Sequence, residues 1–254
     1  MKNKTAKFIA LLLASFILPM SCSACKSGNT ELSAESVADI CIENRQVWEF
    51  GENSVGNCGY CFIDLDFDGM PELMSTSTQG SGLFTTDFFY KINAEKSAVE
   101  SLPLSGNGNA DFKLNLNAAQ DGDYMKLLRD GDGNMFYFFC SYARASAGNY
   151  AVSYSRVTVS GGKVQSELLF SEDVYTNEDS QSEHKYYSYA DGKQTELSEQ
   201  EYKNTFDSFL ADNTDMHLTA GYIDNNEFSA ADSAKQREML VESYRAFGYD
   251  KTAN

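Results

Sequence analysis

Apolar positions change their spacing as the chain proceeds. Over residues 32–50 they recur at helical intervals, with Val37, Ile40, Cys41, Val47 and Trp48 on one stripe. Ser33 precedes the stripe as an N-cap, Leu32 and Val37 form a hydrophobic staple across it, and Gly51 is the predicted stop. Trp48, the single tryptophan, is expected in the core. From about 59 to 190 the signal becomes short apolar or aromatic runs separated by turn residues. Runs at 60–66, 71–76, 86–92, 99–104, 112–116, 124–129, 135–142, 150–159 and 164–170 predict strands. Ser160-Gly161-Gly162-Lys163 is a hairpin turn, and Asp191-Gly192, following Tyr186, Tyr187 and Tyr189, is another. The acidic, serine-rich stretch 171–183 reads as a mobile loop.

Helical spacing returns at 197–210. Ser198 and Glu201 make a capping box, Leu197 and Tyr202 its staple, and Tyr202, Phe206, Phe209 and Leu210 the buried face. A last helix is predicted over about 231–247, with Leu240, Tyr244 and Phe247 on one face and Gly248 as its C-cap. Strands spaced by hairpin turns, rather than by helices, predict an α+β fold. Its expected form is a mostly antiparallel β-meander, as a curved sheet or a barrel- or sandwich-like closure, with an N-terminal helix and two C-terminal helices.

The first residues follow a different logic. Lys2, Lys4 and Lys7 precede an apolar and small-residue run over 8–18, too short for the ~20 residues that span a bilayer. Pro19-Met20-Ser21-Cys22-Ser23-Ala24-Cys25 follows, so residues 1–24 read as a secretory signal. The segment resembles a bacterial lipoprotein signal, whose cysteine is lipidated and becomes the new N-terminus. Cys25, preceded by Ala24 and Ser23, fits that role better than Cys22, the alternative. Residues 25–30 would then be the lipidated cysteine and a polar tether, and 31–254 a single extracytoplasmic domain. Several acyl chains on one cysteine would hold the protein to the outer face of the cell membrane.

Composition narrows the partners. Thirty-seven acidic side chains against 20 basic ones give a formal net charge of −17, which leaves no basic footprint for nucleic acid. Aromatic residues are 13% of the chain, enough for a packed core. Two histidines, His184 and His217, exclude a three-histidine metal site; His184 is expected in solvent and His217 partly packed.

The densest chemistry lies in Asp64-Leu65-Asp66-Phe67-Asp68-Gly69-Met70-Pro71-Glu72-Leu73. Carboxylates at alternate positions, a glycine for a sharp turn, a carbonyl at Met70 and an acid at Glu72 can form an oxygen cage for Ca²⁺, which takes ~6–8 oxygens. Ser75 falls where an EF-hand requires glutamate, so the loop is not an EF-hand. It resembles the Asp-x-Asp-x-Asp-Gly-x-x-Asp-Leu calcium loops of FG-GAP and VCBS-type extracellular repeats, with Glu72 replacing the last aspartate. That resemblance implies a calcium loop between strands, held by Asp64, Asp66, Asp68, Met70 and Glu72. The longer string from Phe62 to Leu73, together with the Asp191-Gly192 hairpin and Leu197-Ser198-Glu199-Gln200-Glu201-Tyr202, resembles a broad set of uncharacterised lipoproteins from Gram-positive bacteria. A plain polar turn is the competing reading of the acidic loop. Asp130-Gly131-Asp132-Gly133-Asn134 and Asp121-Gly122-Asp123 repeat the chemistry more weakly, and both read first as turns.

Cys41, Cys58, Cys61 and Cys140 remain besides the anchor. Cys58-Gly59-Tyr60-Cys61 has the spacing of redox motifs but runs into a strand rather than a helix, so a structural disulfide or buried thiols are the alternatives to exchange chemistry. These features lead to a lipid-anchored, non-enzymatic binding or adhesion protein with a structural Ca²⁺ loop, its partner a glycan or another envelope protein. The alternative is an envelope enzyme, either a hydrolase with an acidic pair or a thiol–disulfide oxidoreductase using Cys58 and Cys61.

Overall fold

A computed structural model describes residues 32–50, 57–79, 84–105, 125–146, 148–177 and 181–253. The signal segment with Cys22 and Cys25, the tether, Gly51, the predicted strand at 112–116 and Asp121-Gly122-Asp123 lie outside those residues. Contacts divide the chain at Leu32, and Leu32–Asn254 is one compact unit.

The first helical stripe is split in two. Helix α1 (Ala34–Glu43) starts at Ser33, whose Oγ accepts from the Ser36 N–H at 3.2 Å. The Asn44 side chain then donates to the Ile40 carbonyl at 2.9 Å and ends the helix. A single turn, α2 (Arg45–Trp48), follows. It seats Trp48 in the core, with its indole N–H on the Cys41 carbonyl at 2.9 Å.

Four strands form the first meander: β1 (Asn57–Ile63), β2 (Glu72–Gln79), β3 (Phe84–Ile92) and β4 (Val99–Leu102). Six more form the second: β5 (Met125–Arg129), β6 (Met135–Ser146), β7 (Asn149–Ser160), β8 (Lys163–Thr176), β9 (Ser182–Ala190) and β10 (Lys193–Leu197). Then come α3 (Glu199–Ala211), β11 (Thr214–Asp215), β12 (Ile223–Asp224), α4 (Asn225–Ala230) and α5 (Ser233–Ala246). The strands make two antiparallel sheets, in the orders β12-β1-β2-β3-β4 and β10-β9-β8-β7-β6-β5-β11. The returning chain thus places one short strand on an edge of each sheet, which limits open edges.

Period-two alternation explains the layering. Cys61, Ile63, Met74 and Phe89 of the first sheet meet Leu127, Tyr137, Phe139 and Val157 of the second in a shared core. The opposite face of the first sheet, with Tyr60, Phe62, Leu73 and Ile223, is covered by α1, α2, α4 and α5 through Val37, Trp48, Phe228 and Leu240. The opposite face of the second sheet, with Phe136, Phe138 and Phe170, is covered by α3 through Tyr202, Phe206 and Phe209. The molecule is therefore an α+β sandwich of two antiparallel sheets with helices on both outer faces.

The hairpin turns form where glycine permits them: Gly161 and Gly162 at φ +60° and +71°, and Asp191-Gly192 at +51° and +72°. The capping box of α3 forms with Ser198 and Glu201 as expected. Three expectations are corrected. The stretch 171–183 is not a loop, because β8 continues to Thr176 and β9 begins at Ser182. Its polar residues pair across strands, with Glu172 Oε1 2.7 Å from His184 Nδ1, and Val174 opposite His184 is buried. Gly248 does not cap α5; it forms an antiparallel bridge with Thr219, while Phe247 ends the helix in extended geometry. His217 is exposed at φ +48° rather than packed, with its N–H on Asp215 Oδ1 at 2.9 Å.

Candidate metal centre

The acidic loop joins β1 to β2, and the Ile63–Glu72 pair closes it. Asp64 is the first residue after β1 and Glu72 the first of β2, so strand pairing alone brings these two carboxylates to the mouth of the loop. The apolar residues between the acids anchor it. Leu65 is fully buried in the core between the sheets. Phe67 stacks on Tyr137 of β6, with 5.7 Å between centroids and 4° between planes. The Tyr137 hydroxyl donates to the Asp64 carbonyl at 2.8 Å, so the second sheet holds the loop at two points.

The backbone makes two tight reversals. Phe67 sits at φ +59° and Gly69 at +89°. Open space surrounds the missing Cβ of Gly69, so glycine is required there for conformation, not for room. The Asp68 N–H binds Asp66 Oδ1 at 3.2 Å, and the Met70 N–H binds Asp68 Oδ1 at 2.8 Å.

Asp64, Asp66 and Glu72 each bring a carboxylate oxygen within 4.8 Å of the other two. Asp64 and Glu72 are each 4% exposed, whereas Asp66 faces solvent. Glu72 Oε2 accepts from the Leu65 N–H at 2.8 Å, and Asp64 Oδ2 accepts from the Gly69 N–H at 3.1 Å. Asp64 Oδ1 is buried and meets no hydrogen-bond donor. Of the four sequence-predicted carboxylate ligands, the structure thus groups three, while Asp68 stands outside the group with its Oδ1 on the Met70 N–H. Met70, predicted through its carbonyl, is half-buried in the same turn.

The electrostatics of the group are unfavourable when it is empty of positive charge. Burial first, then repulsion from Asp66, Asp64 and Asp68, pushes the Glu72 carboxyl up to about 9, against the opposing Leu65 N–H. Burial also raises Asp64, with Asp68 and Asp66 adding to it while the Gly69 and Phe67 amides oppose it. Asp66 rises through burial and the nearby Asp68 charge. A hard divalent cation would remove this repulsion and give Asp64 Oδ1 the partner it lacks. Three carboxylates supply only part of a Ca²⁺ shell, the rest falling to carbonyls and water on the exposed Asp66 side.

The second acidic motif is a turn between β5 and β6. Asp130 Oδ1 accepts from the Asp132 and Asn134 N–H groups at 3.0 and 2.8 Å, which holds that carboxyl below its usual range.

Of the alternatives open for Cys58 and Cys61, a structural disulfide, buried thiols or exchange chemistry, the structure has buried thiols. The two sit three residues apart on β1, where alternation points them to opposite faces of the sheet. Extended spacing puts their Cα atoms ~10 Å apart, beyond the ~7 Å limit of a disulfide. Cys41, Cys58, Cys61 and Cys140 are all free and buried. Burial pushes the Cys61 thiol up to about 12, opposite to the shift that thiol exchange needs. Sequence reasoning missed the anchoring roles of Leu65, Phe67 and Tyr137. The unbroken aromatic run Phe136-Tyr137-Phe138-Phe139 was the available signal, since a strand apolar on both faces must be covered on both.

Among the described residues no helix is long and apolar enough to cross a membrane. No family model and no curated protein matches the chain. Among solved structures, a Xanthomonas type IV secretion system related protein aligns with 54% of this chain at 12% identity and a TM-score of 0.29. The aligned part spans 56% of that protein, and a likeness this slight carries no argument about fold or role.

Proposed function

We propose that this chain is a lipid-anchored extracytoplasmic binding protein, without catalytic activity, whose β1–β2 loop holds a structural Ca²⁺. The observation that carries the cation is the buried, unpartnered Asp64 Oδ1 among converging carboxylates. A buried charge without a partner is costly, and a cation in the group supplies one. Asp64, Asp66 and Glu72 are the side-chain ligands; Asp68 shapes the turn through Met70 instead. The loop is pinned to both sheets, so the ion's role is to lock the β1–β2 turn against β6 of the second sheet. Support for location comes from the Lys-rich, apolar and cysteine-ended segment of residues 1–25. Its partner is a neutral glycan or another envelope protein, in keeping with an acidic chain that repels anionic polymers.

Two measurements test this reading. Calorimetric titration with Ca²⁺ is expected to show one ion per chain, with Asp64→Ala weakening it about tenfold or more. Heat unchanged from buffer at millimolar Ca²⁺ would sink the cation. For the anchor, the full chain made in bacterial cells is expected in the detergent phase on Triton X-114 partitioning. Cys25→Ser is expected to move it to the aqueous phase; if Cys22→Ser does so instead, Cys22 is the lipidated residue. A wild-type chain already in the aqueous phase contradicts anchoring.

A further inference from the structure

We infer that the far end of the second sheet, where β7, β8 and β9 meet, is a binding site for a neutral saccharide, with Tyr175 as its stacking platform. The inference rests on the binding role proposed above and is independent of the cation. Asn149, Tyr175 and Glu183 stand directly opposite one another on the three strands. Their side chains therefore share one face of the sheet. Tyr175 is 48% exposed, although most tyrosines of this chain that are described lie in packed layers. A cleft of about 400 Å³ opens beside it, with Asn177 and Gln181 completing the wall.

The turn's own hydrogen bonds fix how these amides point. Asn149 Oδ1 accepts from the Thr176 N–H at 3.2 Å, and Asn177 Oδ1 accepts from the Gln181 N–H at 2.9 Å. Each amide oxygen is thus occupied, and each NH₂ group, with two donors, is left for a ligand. Glu183 contributes an acceptor at the rim, 3.5 Å from Lys185 Nζ. An aromatic face, oriented NH₂ donors and a carboxylate acceptor match a sugar, which offers an apolar C–H face and hydroxyls that both donate and accept.

Charge selects the class of sugar. Lys185 is the cation near the ring, 6.0 Å from the Tyr175 centroid, and it is already paired with Glu183. A single paired lysine is not the cluster that phosphate or sulfate groups require, and the chain's net charge of −17 repels anionic polymers.

The test is saturation-transfer difference NMR on the full chain in detergent, with cellotriose, maltotriose and tri-N-acetylchitotriose as probes. Transfer is expected to at least one of them, in Ca²⁺ and in EDTA alike. Tyr175→Ala is expected to weaken binding about tenfold or more, and Tyr175→Phe to retain it. Glu183→Ala, at an exposed position, is the second variant should Tyr175→Ala lower the melting temperature; it too is expected to weaken binding. No transfer to any of the three sugars overturns the proposal. So does binding unchanged in both Tyr175→Ala and Glu183→Ala, or binding lost in EDTA and in Asp64→Ala, which would move the sugar to the cation. The calorimetric Ca²⁺ titration reports on the metal centre by itself, so failure there and failure here are distinguishable.

Discussion

At the scale of single residues, Glu72 sets the behaviour of the metal-free protein. Its folded carboxyl keeps a proton to about pH 9, against an ordinary value of 4.5, because it is buried beside Asp64 and Asp66. The folded state therefore holds a proton that the unfolded chain releases earlier. The associated stability is complete below about pH 4.5 and is lost as pH rises toward 9. Asp64 and Asp66 shift in the same direction. Melting temperatures in EDTA are expected to fall as pH rises through this window, and to fall less in Ca²⁺, where the cation replaces the proton. A flat series in EDTA would contradict the burial of Glu72. Glu72→Gln removes the titrating group and stays neutral at every pH, so its metal-free melting point is expected to fall less than wild type as pH rises from 4.5 toward 9, while the response to Ca²⁺ disappears. The alternating acids were legible because their spacing needs no tertiary information. What was not legible is that Asp68 turns back onto the Met70 N–H, since that depends on the reversals at Phe67 and Gly69. The buried thiols give a second test: Cys41 and Cys61 are pushed up to about 12 and Cys140 to about 11. Ellman's reagent at about pH 8 is expected to leave these three unmodified until the protein unfolds, and rapid native labelling would contradict the packing around them.

At the scale of elements, local grammar did most of the work where the turn or cap is written in a few residues. Ser198 and Glu201 form their box, and Ser198→Ala is expected to cost about 1 kcal/mol. The Gly161-Gly162 and Asp191-Gly192 turns form because those residues accept positive φ. The 171–183 stretch misled because an exposed hairpin and a loop share the same polar composition; only Val174, buried opposite His184, marks it as sheet. Contacts between elements were invisible from sequence. Gly221 is an example: a Cβ there would lie 2.8 Å from the Ser243 Cα and 2.8 Å from the Ala246 Cβ of α5. Gly221→Ala must push α5 away from β12 and is expected to cost about 1–3 kcal/mol in urea unfolding. A neutral result would mean that the helix has room to move.

At the scale of the whole molecule, the division into two sheets was the part least available to sequence reasoning. Period-two alternation tells which residues share a face, but not which face meets which sheet. The chain resolves that choice late, when β11 and β12 return to the edges of the two sheets and α3 and α5 cover their outer faces. The acidic loop is held by both sheets. Leu65 sits in the core between the sheets, while Phe67 and the Asp64 carbonyl bind Tyr137 of the other sheet. An ion locking that loop should therefore stabilise the entire sandwich rather than the loop alone. The most direct measurement is thermal unfolding of the full chain in detergent with excess Ca²⁺ and with EDTA, repeated on Asp64→Ala. At one hundred times the Kd, a ligand adds about 2.7 kcal/mol, which raises the midpoint of a domain this size by roughly 5–10 °C. A single cooperative transition that shifts upward by that amount in wild type, and not in the variant, is the result expected. Identical midpoints in Ca²⁺ and EDTA for the wild-type chain would contradict the metal centre and leave the acidic loop a turn.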